Sequence, residues 1–149
     1  MLHKGLRIAL RISLGFVALT AISGGAALLL GAEAQRFPLD WLHGTPFSDY
    51  TIPALLLAIV VGGSALLAVI ALWVRPRLGA ASGIAAGLIL MGYIAIEALI
   101  LKQVPPGPSA IEAFYFSLGL LNFSLSVALL KFQHTATKEQ KALHGQISQ

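Results

Sequence analysis

Along this chain the apolar positions gather into four blocks, roughly Arg7 to Gly31, Ile52 to Val74, Leu78 to Leu101 and Ala110 to Phe132. Each is about 23 to 25 residues long, and at about 1.5 Å per residue a helix of that length crosses a hydrocarbon core of about 30 Å. Apolar character is continuous through each block and does not alternate, so the pattern predicts helices and not the strands of a membrane barrel. The expected fold is all-α, a four-transmembrane-helix antiparallel bundle over residues 1–132. From residue 133 to 149 the chain turns polar, with Thr135, Thr137, Lys138, Glu139 and Lys141, and a frayed helix or tail is expected there.

The breaks between blocks differ in kind. Ala32 to Thr51 is the one long connection, with Pro38-Leu39-Asp40-Trp41-Leu42 suited to an interface and Gly44-Thr45-Pro46 reading as a turn. Arg75-Pro76-Arg77 is a tight turn that makes the second and third helices antiparallel neighbours. Val104-Pro105-Pro106-Gly107-Pro108 cannot continue a helix. Ser109 and Glu112 after it form a capping-box pattern for the last helix. Asp49 is placed to cap the second helix, whose first turn accommodates Pro53.

Composition agrees with the pattern: the 149 residues are 57% hydrophobic and 11% charged, far from a soluble domain's balance. The net charge of +4 matters less than its placement. Lys4, Arg7, Arg11, Arg75, Arg77, Lys131, Lys138 and Lys141 fall at the two termini or in the tight turn, leaving Arg36 and Lys102 at the other end. The positive-inside rule then puts both termini in the cytoplasm and assigns Trp41 and Tyr50 to the outer interface and Trp73 to the inner one. The expected partner is the lipid bilayer, not nucleic acid. Basic residues, an apolar run and Ala32-Glu33-Ala34 imitate a secretory signal, but the run exceeds the usual core of about 7 to 15 residues, so a retained helix is expected.

Helices in lipid associate through small residues, and each block carries a stripe of them. These are Ser13, Thr20, Gly24, Ala27 and Gly31 in the first, Ala54, Ala58, Gly62 and Ala65 in the second, and Gly79, Gly83 and Gly87, a glycine-zipper spacing, in the third. Tyr115, Gly119, Asn122 and Ser126 share one side of the fourth. The stripes serve either one bundle or a homo-oligomer. No internal repeat relates the two hairpins, so an inverted-repeat transporter has no support.

Chemistry-bearing residues are few. The chain has no cysteine, which excludes thiol-disulfide chemistry and thiolate metal sites. Its histidines, His3, His43, His134 and His144, lie outside the blocks, against a haem held by paired intramembrane histidines. Asp40, His43, Asp49 and Glu33 lack zinc or calcium spacing, so neither metal nor cofactor is expected. Ser23-Gly24-Gly25 and Gly62-Gly63-Ser64 match no nucleophile elbow or phosphate loop.

Glu97 is the one acidic residue inside a block apart from Glu112, which caps the start of the last. It falls about five turns beyond Gly79, on the glycine side, with Tyr93 one turn away and placed to hydrogen-bond its carboxylate. Two readings stay open: a ligand- or proton-binding group, or a carboxylate that snorkels about 6 Å to the outer end of its span or pairs with Arg36. Asn122 is a weaker binding candidate, expected rather to supply an interhelical hydrogen bond.

A basic first helix, the loop ending Gly44-Thr45-Pro46-Phe47-Ser48-Asp49-Tyr50, then Ile52-Pro53 and Gly62-Gly63, resembles small bacterial four-helix membrane proteins of the DoxX-like group. The resemblance covers Leu6 to Leu130, implies this architecture in a bacterial inner (plasma) membrane, and transfers no functional residue. The expected function is a non-enzymatic membrane component, an accessory or partner-binding subunit. The alternative is a small oligomeric transporter or channel with Glu97 as its proton- or cation-responsive group. A lipid-modifying enzyme using Glu97, Asp49 and Arg36 is a third class, with no motif behind it.

Overall fold

The computed structural model describes residues 2–33, 35, 37–101 and 108–147, with side chains described from residue 4 to residue 138 within those ranges. Its elements are α1 (Leu2–Leu29), a 3-10 turn (Leu39–Leu42), α2 (Thr51–Leu55), a π-helix (Leu56–Gly62), α3 (Gly63–Val74), α4 (Pro76–Ile100) and α5 (Ala110–Ile147). Since α2, the π-helix and α3 form one rod, the described residues form four helical rods long and apolar enough to cross a membrane. Contacts run from α1 to the second rod, from α3 to α4, from α4 to α5 and from α5 back to α1. The four rods therefore close a ring, with the long connection at one end (the loop end) and the Arg75 turn at the other (the turn end).

The first rod ends where its carbonyls find other donors. Gly31 has φ +71°, its N–H bonds to the Leu28 carbonyl at 3.1 Å, and the Ala32 N–H reaches back to the Ala27 carbonyl at 3.0 Å. This is the Schellman arrangement, which favours glycine because a Cβ is strained at that φ. Gly31, expected in a packing stripe, is instead a helix cap. The buried face of α1 also differs from the expected small-residue stripe, because larger residues, Leu10, Leu14 and Val17, join Ala18 and Ala21 in the core.

The second block is not a plain α-helix. Its π-turns carry an extra residue per turn, and the segment is flanked by two close approaches to α1. A Cβ on Gly25 would lie 2.6 Å from the Ala54 carbonyl oxygen and 2.7 Å from the Ala58 Cβ, and one on Gly62 would lie 2.6 Å from the Ile22 Cγ1. The backbone contact is thus made by Gly25, whereas the expected Gly24 is half-buried and meets only Leu57, at 3.7 Å.

α4 packs through its glycines. Gly79 lies against the Leu72 backbone and Gly83 against Ser126, and a Cβ on Gly87 would come within 2.8 Å of the Gly119 carbonyl oxygen and 2.9 Å of the Phe123 nitrogen. All three face inward within one chain. At the turn end Pro76 opens α4, where a missing N–H costs nothing. The Arg11 guanidinium donates to the Leu72 carbonyl at 2.9 Å and lies 3.9 Å over the Trp73 ring, satisfying one of the carbonyls that a helix C-terminus leaves open.

α5 does not stop at residue 132. Its 38 residues correspond to about 57 Å at about 1.5 Å per residue, so its last turns project past the turn end. There the Arg77 guanidinium donates to the Thr137 hydroxyl.

Candidate functional site

The loop end is covered by side chains of the long connection. Phe37 meets Trp41 and Tyr50 edge-on, with ring centroids 6.2 Å and 5.9 Å away, and the Tyr50 hydroxyl donates to the Pro38 carbonyl at 3.1 Å. Burial, and then the charge of Glu97, push the Tyr50 phenol above its ordinary value of 10.0. Asp49 stays in solvent and accepts the Thr51 N–H at 2.8 Å. That backbone hydrogen bond, followed by one from the Thr51 side chain, holds the Asp49 carboxyl below the ordinary 3.8.

Beneath these aromatics a cavity of about 310 Å³ opens between α1, α4 and α5. Its deep walls are apolar, formed by Val17, Ala21, Leu90 and Ile94, and three carboxyl side chains, Glu33, Glu97 and Glu112, belong to its lining. Such a volume lies at the lower edge of the roughly 300–1,000 Å³ typical of small-molecule sites. A second cavity of about 100 Å³ lies on the α2 side and shares Leu28, Phe37, Tyr93 and Glu97 with the first. Too small to be a separate ligand site by that measure, it is a side lobe of the larger one.

Glu97 sits where the two lobes meet. Among the described residues no hydrogen bond or ion pair reaches its carboxylate. Tyr93 shares both cavities with it, but the Tyr93 hydroxyl donates to the Pro53 carbonyl at 3.3 Å, which corrects the expected bond to Glu97. Glu112, 5% exposed, makes the anticipated capping box. The Ser109 N–H donates to its carboxylate at 2.5 Å, and its own N–H donates to the Ser109 hydroxyl at 3.3 Å. The capping group is therefore also a wall of the cavity.

Of the other candidates, Asp49 is exposed and Asn122 is buried within the helix packing, so neither joins Glu97. Asn122 is 1% exposed, and among the described residues neither atom of its side-chain amide has a hydrogen-bond partner, contrary to the expected interhelical bond. Arg36, with its pairing to Glu97, and Lys102 lie outside the described residues. Sequence reasoning missed Glu33, Phe37, Trp41 and Tyr115 as cavity walls. The available signal was the aromatic content of the long connection, since Phe37, Trp41 and Tyr50 are the kind of apolar rings that seek cover.

Chemically the arrangement offers an apolar slot with carboxylates near its covered end. It suits a molecule with an apolar body and a cationic or hydrogen-bond-donating head. Comparison of the chain with family models, curated proteins and solved structures gives no match.

Proposed function

We propose that this chain is a non-enzymatic, multi-pass membrane protein, both termini cytoplasmic, that binds a small amphiphile with an amine-bearing head from the outer leaflet. The observation that carries the reading is the Glu97 carboxylate, lining a largely apolar cavity with no donor on it among the described residues. Taking a carboxylate out of water costs several kcal/mol unless a counter-charge and hydrogen bonds accompany it. A ligand ammonium supplies both while its apolar tail fills the space toward Val17 and Leu90. Ile12, Leu19, Leu67 and Leu99 point outward, between 66% and 85% exposed, and water would penalise each by about 1.5–3 kcal/mol relative to burial. That supports lipid as the surrounding solvent. The basic residues near the turn end support its cytoplasmic placement, in keeping with the DoxX-like, inner-membrane resemblance.

Transport through a single chain, with Glu97 as the responsive group, fits less well. Toward the turn end the core is filled by Leu10, Leu14, Leu72 and Leu129, all fully buried.

Trp41 lines the cavity, and the chain has 2 tryptophans, so Trp73→Phe leaves Trp41 as a local reporter. In nanodiscs, dodecylammonium with a nitroxide at its tail should quench Trp41 saturably, whereas the corresponding sulfate should not. Glu97→Gln should weaken the ammonium's binding about tenfold or more, the loss of one charge-assisted hydrogen bond. Equal affinity for both heads, or no saturable quenching by either, would refute the reading.

A further inference from the structure

The smaller lobe reaches the outer surface of the bundle at two residues of facing rods, whereas the larger one does so at Ile111, 54% exposed, on α5. The smaller one lies between α2 and α4, and two of its lining residues, Leu56 and Ile96, are 42% and 58% exposed on the outer surface of the bundle. They face the hydrocarbon when the rods span a bilayer. Across the same lobe the Tyr93 hydroxyl ties α4 to the Pro53 carbonyl of α2. Leu56 is the first residue of the π-helix, so the wall beside that tie is where the second rod leaves α-helical hydrogen bonding. Such π segments recur at functional sites. A route from the aqueous side is covered by the Phe37, Trp41 and Tyr50 cluster.

We infer that the smaller lobe is a lateral entrance through which the amphiphile proposed above passes from the bilayer, between α2 and α4, to Glu97, with the Tyr93 to Pro53 hydrogen bond as its latch. The inference rests on that binding reading and adds the route. A bilayer-dissolved ligand keeps its tail in an apolar medium at every stage: lipid, then Leu56 and Ile96, then the deep cavity. Its head travels past Glu97, which lines both lobes. A route through the loop would draw the tail through water, at about 0.8 kcal/mol per methylene exposed.

The absence of cysteine makes the test direct. A Leu56→Cys/Ile96→Cys pair is bridged with a bifunctional thiosulfonate in the Trp73→Phe background, and the rate of Trp41 quenching by the nitroxide dodecylammonium is followed in nanodiscs. Bridging should slow quenching about tenfold or more, and reduction of the bridge should restore it. Tyr93→Phe keeps the ring and removes the latch, so it should speed both association and release severalfold. Saturable binding whose rates ignore both the bridge and Tyr93→Phe would overturn the entrance and leave the binding reading standing. Absence of saturable quenching in the unbridged parent would overturn both.

Discussion

Two side chains of similar size and polarity, Asp49 and Asn122, meet opposite fates. Asp49 accepts the Thr51 N–H in solvent, and its carboxyl lies below 3.8 in the folded protein. A depressed carboxyl contributes stability that is fully present above its unfolded value and is lost as pH falls through the folded one. The advantage of the parent over Asp49→Ala in thermal melts should accordingly hold at neutral pH and shrink below pH 3.8; a difference that ignores pH would show that the carboxylate has no part in starting α2. Asn122 has no partner for its buried amide among the described residues, a state that costs about 1–3 kcal/mol per unsatisfied group. Asn122→Leu should therefore leave stability unchanged or raise it. A loss of more than about 2 kcal/mol would mean that the amide holds something essential in place.

At the scale of the elements, glycines in one helix carry different burdens. A Cβ on Gly87 would meet the Gly119 carbonyl and the Phe123 nitrogen, both backbone atoms that cannot rotate away, whereas one on Gly92 meets nothing within 4 Å. Gly87→Ala should destabilise by about 1–3 kcal/mol, the usual cost of overpacking. Gly92→Ala should be neutral or stabilising by about 0.4–1 kcal/mol, because alanine restricts the unfolded chain. Unfolding in detergent reads both, and equal effects at the two sites would contradict the packing of α4 on α5. Residue spacing was enough to anticipate Gly79, Gly83 and Gly87 as one inward stripe, because a four-residue step stays near one side of an α-helix. It put Gly24 in the contact that Gly25 makes, since spacing along α1 specifies a side of that rod but not the line along which the second rod meets it.

For the whole molecule, the ring of four rods, the outward leucines and isoleucines and the basic turn end lead to a topological expectation. Single cysteines replacing Pro76 and Gln146 should be shielded from an impermeant thiol reagent in intact cells, and one replacing Gly44 should react. Labelling at Pro76 with none at Gly44 would invert the orientation and put the cavity in the cytoplasmic leaflet.

What the residue order determined by itself is what depends on local composition and short spacing. Four runs of apolar residues without period-two alternation leave only helices as a way to satisfy the backbone in an apolar medium. Prolines and glycines punctuate those runs, and Ser109 with Glu112 specifies a cap within one turn. What only the tertiary structure decided is which distant residues share a space. Glu97, Glu112, Glu33 and Trp41 come from α4, α5 and the long connection and line one cavity, a meeting set by how the rods tilt and by how the loop folds back. Tyr93 lies one turn from Glu97 in α4, yet its hydroxyl bonds across to Pro53. Helical periodicity specifies the side of a rod that a residue occupies, and packing of the neighbouring rod selects the partner it finds there.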